Sequence, residues 1–190
     1  MNERLRVDVW SDVVCPFCFM GKRRLEAALA GFAYAPRVDV VWRSFELDPA
    51  ASREPPPGSL AERLAAKYGT SVREAEARMA HVTRSARADG IELRLERARP
   101  TGTFDAHRLL HLARERGLQD ALNERLFGAY FTEGALLADP AVLAALAADV
   151  GLAPDEVTAT LASDGYAREV RADEAEAAAL GIHGVPCFVL

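Results

Sequence analysis

Two cysteines stand where the chain passes from a strand to a helix. Residues 6–10 alternate polar and apolar side chains, a pattern typical of a short strand. Residues 19–29 carry apolar side chains at helical spacing. Between these segments lies a Cys-Pro-Phe-Cys motif that begins at Cys15 and ends at Cys18. The motif therefore occupies the junction of a predicted strand and a predicted helix.

This junction favours redox chemistry. Pro16 falls in the first helical turn, where its missing N–H is not needed. The unpaired amides and positive end of the helix dipole then favour a thiolate at Cys15. The two-residue spacing brings Cys18 within reach of a disulfide. A zinc site and two unrelated core cysteines are the alternatives, but structural zinc usually takes four Cys or His ligands, and the only other cysteine is Cys187.

The composition is that of an ordinary globular protein. The 190 residues are 50% hydrophobic and 27% charged, enough for one domain or for a small domain with an insertion. The net charge of −5 gives no reason to expect a nucleic-acid partner. No segment is long enough to cross a membrane, and residues 1–6 lack the apolar region of a secretory signal. We therefore expect a cytoplasmic protein, in which such a dithiol is more often catalytic than structural.

The predicted strands lie at the two ends of the chain and the helices lie between them. Residues 37–43 are predicted to form a second strand, which gives a parallel strand–helix–strand unit. Gly31 is predicted to end the helix of this unit as a left-handed cap. After a proline-rich loop, capping boxes at Ser59 and Ser71 open a series of helices that ends near residue 180. Residues 91–97 alternate and are predicted to be extended. The last residues, 187–190, read as a strand that follows a proline.

Several motifs taken together resemble the FrnE-type subgroup in the DsbA-like branch of the thioredoxin superfamily. They extend over nearly the whole chain: Ser11-Asp12-Val13-Val14-Cys15-Pro16-Phe17-Cys18, Gly21-Lys22-Arg23-Arg24, Phe45-Glu46-Leu47-Asp48-Pro49, Asp105-Ala106-His107-Arg108-Leu109 and Gly184-Val185-Pro186.

The resemblance implies an α/β, thioredoxin-like fold that an all-helical insertion interrupts. Residues 1–50 and 165–190 would form the thioredoxin-like domain, and residues 51–164 the helical domain. The Val185–Pro186 peptide bond would be cis and would lie beside the cysteines. Pro16, Phe17, Val185 and Pro186 would contact the substrate.

The same resemblance implies a thiol–disulfide oxidoreductase, acting as a protein disulfide oxidoreductase or isomerase. Cys15 attacks, a mixed disulfide forms with a protein or small thiol substrate, and Cys18 resolves it. No metal or organic cofactor is expected, although glutathione is a candidate co-substrate. The alternative is a glutathione-dependent isomerase or transferase of the 2-hydroxychromene-2-carboxylate isomerase type, in which a serine takes the place of Cys15. A metal- or partner-binding module that keeps the fold is a third interpretation.

The chain departs from the family pattern near residue 190. Only four residues follow Pro186, where the fold normally adds a strand and a helix. We expect such elements to belong to the functional protein, because residues 187–190 would otherwise form an uncovered apolar edge. Cys187 stands where the family more often has another residue, and we expect a bystander thiol in apolar packing.

Five further polar residues carry weaker expectations. Asp12 is interpreted mainly as a helix cap, with proton transfer to Cys18 as the alternative. His183 precedes Pro186 by three residues and is a candidate for tuning the Cys15 thiolate. Lys22 is expected to be solvated. His107 and His111 share a helix face at a spacing that can hold a metal, but a satisfied or exposed histidine pair is the preferred interpretation.

Overall fold

The structure, a computed structural model, describes residues 4–55 and 57–190. The strands in these ranges are β1 (Leu5–Ser11), β2 (Val38–Ser44) and β3 (Cys187–Val189). The α-helices are α1 (Pro16–Ala30), α2 (Leu60–Tyr68), α3 (Val72–Ala88), α4 (Phe104–Glu115), α5 (Gln119–Gly128), α6 (Pro140–Asp149), α7 (Pro154–Leu161) and α8 (Ala167–Ala179).

The sheet has β1 at its centre, in the order β2-β1-β3. β1 and β2 are parallel, with Val7 opposite Val40, which confirms the predicted strand–helix–strand unit. β3 runs antiparallel along the other edge of β1, with Val9 opposite Phe188. Strands from the two outer segments of the chain therefore meet in one sheet, and the end of β1 at Trp10 lies next to the start of β3 at Cys187.

Local capping signals place the ends of the helices well. Ser59 and Ser71 each form the predicted capping box, and Gly69 ends α2 in the left-handed region with φ 62°. The prediction for Gly31 is wrong, because its φ is −93°. There the chain leaves α1 through a tighter turn in which the Phe32 amide donates to the Leu29 carbonyl at 3.0 Å.

The prediction of an extended segment at residues 91–97 is also wrong. Leu95–Arg97 forms a short 3₁₀ turn. The Arg94 amide donates to the Phe131 carbonyl, in a helical segment, rather than to a strand. Ile91, Leu93 and Leu95 are buried, so the alternation of apolar and polar side chains reflects one buried face of this segment. The sheet in the described ranges contains β1, β2 and β3, and this segment is not part of it.

A continuous apolar core extends from α1 into the middle helices. Phe19 stacks on Phe127, with ring centroids 4.8 Å apart, and Phe131 lies beside both. Cys18 belongs to the same cluster, together with residues of α4, α5 and α6. Phe127, Tyr130 and Phe131 are all buried. The division into residues 1–50 with 165–190 and residues 51–164 remains a prediction.

Lys22 corrects the expectation of a solvated lysine. Its side chain is 2% exposed, and Nζ lies 3.1 Å from Asp120 Oδ2 and 3.3 Å from Glu124 Oε2. It also pairs with Glu26 on its own helix. The lysine is buried because α5 supplies carboxylates that face α1. None of the helices in the described part of the chain has the length and apolar character needed to cross a bilayer.

Candidate active site

Cys15 is the residue on which α1 begins. Its backbone is extended (φ −96°, ψ 113°), and Pro16 occupies the first helical position. The Cys15 carbonyl accepts from the amides of Cys18 and Phe19 at 3.1 and 3.3 Å. The Cys15 sulfur thus lies at the positive end of the helix dipole. Cys18 lies one turn further on and is fully buried, and Cys15 is 4% exposed.

The two thiols have opposite electrostatic environments. Contact with the Cys18 thiol lowers the pKa of Cys15, and the Phe17 and Cys18 amides add to this, against burial and the Asp12 charge. Burial raises the pKa of Cys18 well above its ordinary value, and the neighbouring Cys15 raises it further. These surroundings favour the thiolate at Cys15 and the protonated thiol at Cys18.

The loop before β3 closes over Cys15. The Val185–Pro186 bond is cis, as the family resemblance implies. Cys15 Sγ lies 3.7 Å from the Val185 carbonyl oxygen. Gly21 permits this approach, because a Cβ on Gly21 would lie 3.1 Å from Pro186 Cγ and 3.3 Å from Phe188 Cζ.

A groove of about 600 Å³ opens beside this loop. Three of the four predicted substrate-contacting residues line it, and the fourth, Pro16, holds the adjoining helix start. The groove is lined by Phe17, Met20, Gly21, Arg24, Leu25, Val185, Pro186 and Phe188. Phe17 is 53% exposed, so it presents an apolar surface next to the two cysteines. The groove suits an apolar or extended peptide segment.

The predicted tuning residues lie in different surroundings. Asp12 is buried, and its Oδ2 accepts from the Leu47 amide at 2.8 Å. His183 is exposed and makes no hydrogen bond or ion pair within residues 4–55 and 57–190, so nothing there supports its tuning role. Cys187 is half-buried, carries a free thiol and lies opposite Trp10 in the sheet.

The two histidines of α4 are both buried but face different partners. His111 Nε2 lies 3.1 Å from Ser44 Oγ and 3.1 Å from Asp173 Oδ2. His107 Nε2 lies 3.4 Å from Asp12 Oδ1. Burial alone would lower the pKa of His107, but the carboxylates of Asp12, Glu46 and Glu174 raise it. The i,i+4 spacing marks both histidines in the sequence, but it does not place His107 next to Asp12.

The i,i+4 histidines do not converge on one point. Within the described ranges, no group of three or more His, Cys, Asp or Glu side chains is placed to hold a metal ion. Each histidine faces its own aspartate instead. The His107 and His111 spacing therefore reflects two separate polar contacts.

Comparison with known proteins gives a consistent result. A model of the DSBA-like thioredoxin domain family matches residues 6–190. A crystal structure of a probable DsbA oxidoreductase, SCO1869 from Streptomyces coelicolor, is 44% identical with a TM-score of 0.92, over 98% of this chain and 80% of that one. The protein YwbO of Bacillus subtilis (strain 168) is 31% identical over 149 residues, 78% of this chain and 67% of YwbO.

A more distant structure shares the fold. The cytosolic disulfide reductase DsbM from Pseudomonas aeruginosa is 20% identical, with a TM-score of 0.67, over 98% of this chain and 84% of that one. At this identity the likeness concerns the fold alone.

Proposed function

Since the chain belongs to the DSBA-like thioredoxin domain family, we propose that it is a thiol–disulfide oxidoreductase that works through the Cys15–Cys18 dithiol. The placement of Cys15 at the start of α1, with Cys18 buried one turn further on, is the observation that carries the proposal, and the opposite pKa shifts of the two thiols agree with it. A lowered pKa makes Cys15 the nucleophile, and a raised pKa keeps the resolving thiol of Cys18 protonated until the mixed disulfide has formed.

The reaction proceeds through a mixed disulfide. The Cys15 thiolate attacks one sulfur of a substrate disulfide, and the other substrate sulfur leaves as a thiolate. The Cys18 thiolate then attacks Cys15 Sγ, forms the Cys15–Cys18 disulfide and releases the second substrate sulfur. Two electrons pass from the protein to the substrate, and the reverse sequence oxidises a substrate dithiol.

The groove beside Pro186 suggests the substrate class. Its apolar lining and the free edge of the Val185–Pro186 loop suit an extended segment that carries the reacting sulfur. We include protein thiols and glutathione as substrates in the proposal, since a solved structure of DsbM, which shares the fold, is of that protein with GSH. We also place the chemistry in the cytoplasm and the chain in the FrnE-type subgroup as parts of this proposal.

Equilibration with glutathione tests the proposal directly. A Cys187→Ala background removes the third thiol, and mass spectrometry follows the Cys15–Cys18 disulfide across a series of glutathione buffers. The same protein is assayed for reduction of a small disulfide-bonded protein. Cys15→Ser should abolish turnover, and Cys18→Ser should accumulate mixed disulfides on Cys15. Full turnover by Cys15→Ser, or a dithiol that never oxidises, would overturn the proposal.

A further inference from the structure

A small cavity lies at the end of β1, where Ser11 forms part of its wall. Its volume is about 10 Å³, which matches a single water molecule. Ser11, Asn123 and His107 contribute polar side chains to its wall. These residues come from β1, α5 and α4, so the cavity is a meeting point of three elements rather than a gap in one of them.

The polar atoms at this cavity lack partners. Ser11 Oγ, Asn123 Nδ2 and both ring nitrogens of His107 are buried, and within the described ranges none makes an aligned hydrogen bond. Buried polar atoms in this state are costly unless a water satisfies them. Three such side chains around one water-sized space offer the polar partners that a bound water needs.

Ser11 lies between the cavity and the thiol that must lose a proton. The Ser11 hydroxyl is close enough to Cys18 to lower its pKa in part, although it forms no hydrogen bond of ordinary geometry. On the other side, His107 Nε2 lies 3.4 Å from Asp12 Oδ1. Ser11 thus neighbours Cys18 and lines the cavity, and His107 lines the same cavity beside Asp12.

Building on the proposed function, we propose that one bound water links Ser11 to His107, and that His107 accepts the Cys18 proton when Cys18 resolves the mixed disulfide. The thiol S–H bond breaks and its proton passes through Ser11 Oγ and the water to the imidazole. The Cys18 thiolate then bonds to Cys15 Sγ, and the substrate sulfur leaves as a thiolate that takes a proton from solvent. Asp12 stabilises the resulting imidazolium.

The charges around His107 favour this role. Asp12 follows β1, Glu46 follows β2 and Glu174 lies on α8, and all three raise the pKa of the imidazole. Arg171 neutralises part of this charge, with Nη1 2.7 Å from Glu46 Oε2 and 2.6 Å from Glu174 Oε2.

Two other basic groups belong to the same surroundings. Arg43 also lines the cavity, but its guanidinium pairs with Asp8 and Asp173. His111 is held by Ser44 and Asp173. His107 is therefore the basic group at the cavity whose ring nitrogens have no aligned partner within the described ranges.

A stopped-flow experiment separates the two steps. Reduced protein in the Cys187→Ala background is mixed with an aromatic disulfide that releases a coloured thiolate. Attack by Cys15 releases the first thiolate at a rate that depends on reagent concentration, and resolution by Cys18 releases the second at a rate that does not. Cys18→Ser should retain only the first phase. Both phases are followed across pH in wild type, His107→Gln, Asp12→Asn and His81→Gln.

The wild-type second phase should accelerate with pH through a midpoint above the ordinary histidine pKa of about 6.5. His107→Gln should slow this phase by at least about tenfold near neutral pH and move its pH dependence to alkaline values. Its first phase should stay within about twofold of wild type. Asp12→Asn should lower the midpoint, and His81→Gln, the same change at an exposed position, should leave both phases unchanged.

Two results would overturn the inference. One is a second phase in folded His107→Gln with the rate and pH profile of wild type. The other, which needs no variant to fold, is a wild-type second phase without a titration step in the histidine range. Absence of the first phase in wild type would instead overturn the proposed function itself.

Discussion

At the scale of single residues, the position of each cysteine relative to the start of α1 decides how readily its thiol loses a proton. Cys15 lies before the first helical turn, where the Phe17 and Cys18 amides help to lower its pKa, and Cys18 lies within the core cluster. The same side chain therefore has a pKa below its ordinary value at one position and well above it at the other. The difference in pKa between the two thiols therefore arises from a separation of only three positions at the start of α1.

We expect alkylation to distinguish the two thiols. In reduced Cys187→Ala protein, Cys15 should react with a small alkylating agent well before Cys18, since only the thiolate reacts. The pH midpoint of the Cys15 rate should lie below the ordinary thiol value of 9.0, and that of Cys18 above it. Peptide mapping of protein quenched at intervals measures both rates. Equal rates at the two positions would contradict the assigned roles.

At the scale of elements, the approach of α1 to the loop before β3 holds the site together. Gly21 is the contact point, because there the helix has no side chain to keep Pro186 away. Phe188 packs from the strand that follows. The groove, the Val185 carbonyl and the Cys15 sulfur keep their relative positions through this contact.

Gly21→Ala should weaken the site although alanine favours helices. The added Cβ lies 3.1 Å from Pro186 Cγ, so the loop must shift by a few tenths of an ångström. We expect a net destabilisation of about 1 kcal/mol and a slower reaction at Cys15. Gly128→Ala is the matched control, because its Cβ would meet nothing within 4 Å, and it should stabilise by up to about 1 kcal/mol. Urea unfolding and the reaction rate of Cys15 are measured for both variants. Equal effects of the two substitutions on stability and on this rate would contradict the predicted crowding at Gly21.

At the scale of the whole molecule, Asp173 joins the sheet to two helices. It lies on α8, its carbonyl accepts from Trp10 Nε1 of β1 at 2.9 Å, and its Oδ1 lies 2.7 Å from Arg43 Nη1 of β2. Its Oδ2 accepts from the Ser44 amide at 2.9 Å and faces His111 of α4. Burial alone would raise the pKa of Asp173, but the hydrogen bonds from His111 and Ser44 and the Arg43 charge lower it.

This pKa shift gives stability a defined pH dependence. A carboxyl group whose pKa is lower in the folded than in the unfolded state stabilises the fold at pH values above its unfolded pKa, which is about 3.8 for Asp173. This stabilisation is lost as the pH falls through the folded pKa. Asp173→Asn should therefore cost about 2–3 kcal/mol at pH 7 and progressively less below about pH 4. Urea unfolding across pH measures the difference. Exposed Asp164→Asn is the control, and a cost that stays constant down to about pH 2 would contradict the assignment.

Local sequence signals determined a large part of this protein. The strand–cysteine–helix junction, the parallel β1–β2 pair and the capping boxes at Ser59 and Ser71 were predictable, because each depends on residues a few positions apart. The cis bond before Pro186 was predictable only through the family resemblance, since an isolated Val-Pro pair favours trans.

The tertiary structure decided what depends on distant residues. Lys22 is buried because Asp120 and Glu124 face it from α5, about one hundred positions away. Ser11, His107 and Asn123 meet at one cavity although they belong to three elements, and no spacing in the sequence marks them as a set. Burial and charge pairing at these positions depend on how helices pack against the sheet. Sequence periodicity reports which face of an element is apolar, but it does not report which element covers that face.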